Sequence, residues 1–155
     1  MVVGGVANRL SAGGRRDDGS AVVEFVTLGV LLLIPVVYLI LTLGRIQAAA
    51  FAAEGAAREA GRAFVTASDE RSGAERVRAA VLLAARDQGF DDVDPDTAVV
   101  IECSAVPCLQ PEGRVVVRVE IEAVLPGVPA FIDAVVPTSV PVSAESVAVV
   151  DRFGG

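Results

Sequence analysis

Polar and apolar positions fall into three regimes along the chain. Residues Met1–Gly19 are short, polar and glycine-rich, with Arg9, Arg15 and Arg16 followed by Asp17 and Asp18. They hold no apolar stretch of the kind that makes a secretory h-region. From Phe25 to Leu43 the chain reads FVTLGVLLLIPVVYLILTL without a formal charge. About 19 residues at a rise of about 1.5 Å cover about 28 Å, close to the hydrocarbon thickness of a bilayer. A helix of this length in a soluble core normally keeps a polar face. Here only Thr27, Tyr38 and Thr42 interrupt the apolar run, so the pattern predicts a membrane anchor rather than the central helix of a bundle. Pro35 inside it removes one backbone bond, to the carbonyl of Leu31, which membrane helices tolerate.

The third regime is ordinary globular sequence. After Arg45 the helical pattern continues in RIQAAAFAAEGAAREAGRAFVTA, with Ile46, Ala50, Ala53, Ala57, Ala60 and Phe64 spaced in steps of four and three. Ala49, Ala53, Ala57 and Gly61 add a row of small residues that permits close approach. This face predicts packing against either its own domain or a neighbouring subunit. Glu54 and Arg58 form an i,i+4 pair. Ser68–Gly73 reads as a turn, and Ala74–Gln88 as a second amphipathic helix ended by Gly89. Alternation then predicts strands over Thr97–Ala105, Arg114–Leu125 and Thr138–Val150. Pro126–Pro137, with Phe131 and Ile132, reads as a loop or short helix. The expected fold class is α+β: a long N-terminal transmembrane and stalk helix, a second helix, and a small C-terminal antiparallel sheet of about three strands. The expected divisions are a leader over 1–19, an anchor over 20–44 and an extracytoplasmic α+β domain over 45–155.

Composition narrows the function classes. The chain has 155 residues, 13 basic against 20 acidic, a net charge of −7 and no His. Its basic residues are scattered, so nucleic acid is not an expected partner. Without His there is no Ser-His-Asp or Cys-His arrangement, and no P-loop or dinucleotide fingerprint occurs. No enzyme activity and no cofactor are expected. Asp91, Asp92, Asp94 and Asp96 alternate in a way that invites Ca²⁺, but the central Gly and terminal Glu of an EF-hand loop are missing, so no metal is assigned. In an exported domain Cys103 and Cys108 are expected to pair as a disulfide, with free thiols or a metal site the alternatives, although two Cys without any His argue against zinc.

One carboxylate does not suit a plain anchor. Glu24 directly abuts the apolar run, where an ordinary span gains nothing from it beyond the helix macrodipole. The string Arg15-Arg16-Asp17-Asp18-Gly19-Ser20-Ala21-Val22-Val23-Glu24-Phe25 resembles the processing region of type IV pilins and pseudopilins. There, a short basic leader ends in Gly and a Glu stands fifth in the mature chain. Glu24-Phe25 is similar to the Glu-aromatic pair of tight-adherence (Flp) pilins. With Gly44-Arg45 and the Ala56–Ala60 stretch, residues 15–65 look like the N-terminal half of TadE-like minor pilins of actinobacterial type. A mature chain beginning with Ser20 departs from the Phe or Met of many type IV pilins.

The resemblance implies cleavage between Gly19 and Ser20 by a prepilin peptidase, and a role for Glu24 and Phe25 in processing and assembly. It also implies membrane lipid and other pilin or pseudopilin subunits of a tight-adherence apparatus as partners. The arginines before the span, against Arg45 alone just after it, predict a cytoplasmic N-terminus and an extracytoplasmic C-terminal domain in the cell membrane. The expected function is that of a structural pseudopilin. The alternative is a signal-anchored extracytoplasmic binding module that is neither processed nor assembled.

Overall fold

In a computed structural model the chain is α+β. The structure describes residues 17–127 and 138–152, with side chains from Ser20 onward. The leader up to Arg16, and Phe131 and Ile132, lie outside the described residues. Elements follow the order α1 (Asp17–Val65), α2 (Glu70–Asp87), a single turn α3 (Pro95–Ala98), β1 (Val99–Cys103), β2 (Arg114–Val124) and β3 (Ser139–Val149). The chain divides into two compact units, the first ending at Leu39 and the second beginning at Ile40.

The second unit is built around β2. The strands form one antiparallel sheet in the order β1-β2-β3. Val119 of β2 faces Val99 and Ala144 on either side, and Val117 faces Ile101 and Ser146. Alternation puts Val115, Val117, Val119, Ile121 and Ala123 on the buried face of β2. The helix face covering them is alanine: Ala49, Ala52, Ala53, Ala56, Ala57 and Ala60 are buried, with Phe64 at the end of the stripe. The small-residue row packs inside the domain, as one of the two sequence readings has it. Gly61 lies so close to the sheet that a Cβ there would stand 3.4 Å from Cβ of Ala148. Alanine loses no side-chain entropy on burial and lets the helix approach the valines closely.

α2 adds Val77, Val81 and Ala85 to the same core. It begins at Glu70, earlier than the sequence pattern suggests. The carboxylate of Asp69 accepts the amide of Ser72 at 2.9 Å, so the polar residues read as a turn form a capped first helical turn. That hydrogen bond holds the Asp69 carboxyl below its ordinary 3.8. Gly73 supplies the space for Phe64, since a Cβ at 73 would meet the ring at 2.9 Å.

Three variants test this packing and capping, each measured by unfolding of the full chain in neutral detergent. Gly73→Ala should destabilise by about 1–3 kcal/mol through overpacking against the buried Phe64, outweighing about 1 kcal/mol of helix propensity. Gly55→Ala, where nothing lies within 4 Å of the added carbon, should stabilise; a gain in both would contradict the packing described. The lowered Asp69 group favours the folded state when ionised, so its contribution is present above the ordinary carboxylate value. It is lost as pH falls below 3.8 and through the lower folded-state value. Asp69→Asn caps without titrating, and its stability should fall less steeply over that window; parallel curves would contradict the cap.

Candidate functional site

The described residues of the apolar segment form helix throughout. From Phe25 to Leu43 every side chain is exposed except Thr42, which is half-buried. By length and composition this is the one described helix able to cross a membrane. Soluble monomers seldom expose contiguous apolar patches beyond a few hundred Å². Such a helix is compatible with a single membrane span or a signal anchor. Thr27 suits that setting, because its hydroxyl donates to the carbonyl of Val23 at 2.7 Å. The Thr42 hydroxyl has no hydrogen-bond partner.

Gly19, Ser20, Glu24 and Phe25 all lie in the first three turns of α1. Ser20 and Glu24 are one helical turn apart, so a group at the backbone nitrogen of Ser20 and the Glu24 carboxylate share a face. Glu24 is exposed and makes no hydrogen bond or ion pair among the described residues. Phe25 is 77% exposed. The structure thus brings the four residues together at the entrance of the apolar segment.

Just past the segment, Arg45 does what sequence reasoning misses. α2 ends in a Schellman turn: Gly89, at φ +75°, donates to the carbonyl of Arg86 at 2.9 Å, and Phe90 donates to that of Ala85 at 3.0 Å. Glycine adopts this left-handed backbone without a Cβ penalty. Arg45 lays its guanidinium over the Phe90 ring, 4.0 Å from the centroid, and donates to the carbonyl of Gly89 at 3.1 Å. The only signal was the pairing of a lone Arg with a Gly-Phe helix end 44 residues away, which no local pattern reports.

The sulfurs of Cys103 and Cys108 are at disulfide distance, with Cα atoms 5.3 Å apart. The loop they close is tied to α2, since the Cys108 amide donates to Glu70 at 2.7 Å. Asp91, Asp92 and Asp94, after α2, line a cleft of about 450 Å³ together with Arg45, Phe90, Glu120, Glu122 and Val124. Asp94 caps α3, and Asp96 pairs with Arg78 at 2.6 Å. No group of three potential metal ligands converges among the described residues.

Comparison with known proteins gives no matching family model, curated protein or solved structure. Arg45→Ala should cost about 1 kcal/mol by removing a cation–π contact and a charged hydrogen bond. Arg45→Lys should recover less than half of that, because an ammonium cannot stack as a plane. Equal melting temperatures for Arg45→Ala and the parent chain would contradict the strut.

Proposed function

We propose that this chain is a non-enzymatic, membrane-anchored structural subunit of pilin type, a TadE-like pseudopilin of a tight-adherence pilus or related secretion apparatus. One observation carries the reading: an uncharged, exposed helix of membrane length opens with a carboxylate and aromatic pair, Glu24-Phe25, five residues after Gly19. In this reading a prepilin peptidase cuts between Gly19 and Ser20. The new amine stands one helical turn from Glu24, and the pair offsets part of the cost of holding either charge at the apolar boundary. Within a filament the same carboxylate can reach the amine of a neighbouring subunit and so set its register.

The arginine asymmetry supports a cytoplasmic leader and an extracytoplasmic domain. Arg45, the basic residue just past the span, is held by a carbonyl and an aromatic ring at the cleft. The reading needs no catalytic group on the α+β domain, whose described carboxylates are exposed. Membrane lipid, the peptidase and other subunits of the apparatus are the partners it implies. The second reading, an anchored binding module, is favoured by the acidic cleft.

Intact mass of the membrane-extracted protein, produced with and without a prepilin peptidase, separates the two. The pseudopilin reading expects loss of Met1–Gly19 only when the peptidase is present. A leader retained in both samples leaves the binding module. Glu24→Ala should still insert into the membrane but assemble poorly with partner subunits, and normal assembly in that variant would remove the role given to Glu24.

A further inference from the structure

The sheet has an unequal edge. β2 and β3 pair along eleven residues each, whereas β1 covers only Val115–Val119 of β2. Backbone direction along β2 follows from the loop bonds. Ser104 donates to the carbonyl of Arg114, so even-numbered residues of β2 turn their N–H and C=O toward β1. Leu125 donates to Thr138, so odd-numbered residues turn toward β3. Continued in register, β1 would place Ala98 against Glu120. Instead the Ala98 amide is drawn to the carbonyl of Asp94 at 2.9 Å, inside the capped turn α3. Among the described residues, the carbonyl of Glu120 and both backbone groups of Glu122 and Val124 have no ladder partner on that side.

This bare length of β2 forms a wall of the acidic cleft. Asp91, Asp92 and Glu120 are exposed there and make no ion pair among the described residues. The β3 edge of the described sheet differs. It carries Pro141, whose ring faces outward and blocks strand addition, and its Glu145 is already paired with Arg118 at 2.8 Å. Charge also decides the occupant of the β2 edge. A second copy pairing antiparallel there would set Glu120 and Glu122 against their own counterparts, which is repulsive.

We propose that the Glu120–Val124 edge accepts an extended, arginine- or lysine-bearing segment of a partner protein as an added strand, with the cleft carboxylates selecting its charge. Main-chain hydrogen bonds to Glu122 and Val124 hold the segment, and alternate basic side chains meet Glu120, Glu122 and the Asp91-Asp92 pair. The proposal is independent of whether the chain is processed as a pilin.

The test uses the full-length chain in neutral detergent and a fluorescein-labelled hexapeptide of alternating Arg and Thr, read by anisotropy. Saturable binding is expected. An alternating Glu-Thr peptide should not bind, and N-methylation of alternate peptide nitrogens should weaken binding at least about tenfold by removing strand donors while keeping charge. Val124→Pro blocks the open edge without breaking the β2–β3 ladder, and should weaken binding by about the same factor. The double variant Glu120→Gln, Glu122→Gln keeps the backbone and should weaken binding about tenfold and flatten its salt dependence. Absence of saturable binding overturns the proposal. So does equal affinity for the N-methylated peptide, which would mean charge attraction alone, or an unchanged affinity in both variants. Concentration-dependent self-association lost in Val124→Pro would put a second copy at the edge and overturn it as well.

Discussion

From Phe25 to Leu43 helix α1 presents apolar side chains on every face, and nothing in the described chain covers them. Removing that surface from water is the constraint on which the remaining features depend. At about 25 cal/mol per Å², it outweighs the modest net stability of a domain of this size. Past Gly44 the same helix meets different demands. Its buried stripe becomes alanine, its outer positions take Glu54 and Arg58, and the valine face of β2 replaces solvent. One element thus carries two surface chemistries, and the change falls within the two residues before Arg45.

The α+β domain is organised to hold that helix. Arg45 links the start of the alanine stripe to the Schellman turn of α2, while Phe64 packs on Gly73 at the other end. Glu70 then connects the head of α2 to the loop closed by Cys103 and Cys108. These contacts fasten the helices to one another at both ends of a core that otherwise consists of small side chains. Such a core gains little area per residue, so polar struts and close backbone approach carry more of the specificity than they would over a leucine-rich interior.

Much of this was legible in the chain. Charge-free length gives the apolar helix, period two gives β2 and β3, and proximity in an exported context suggests the cysteine pair. The errors sit at element ends. Read by periodicity, α2 starts at Ala74, because Asp69 and Ser72 read as turn residues; their polar groups cap a helix instead. The first strand reads as Thr97–Ala105 but is confined to Val99–Cys103. Asp94 and Pro95 start a helical turn that alternation cannot register, and the resulting gap beside Glu120 is a tertiary fact. Arg45 was visible as a flanking charge, but its contacts lie 44 residues away and obey no local period. The residues at the helix entrance are readable through resemblance and through the misfit of Glu24; the structure adds that helix runs unbroken from Asp17, which puts Ser20 and Glu24 on one face.

The exposed Phe25–Leu43 surface calls for a bilayer to cover it. Flotation of the full-length chain with lipid vesicles through a density gradient, at alkaline pH and high salt, tests it most directly. The protein should rise with the lipid, and only detergent should return it to the dense fractions. A chain that stays in the dense fractions as a soluble monomer, with vesicles present and no detergent, would contradict a membrane anchor.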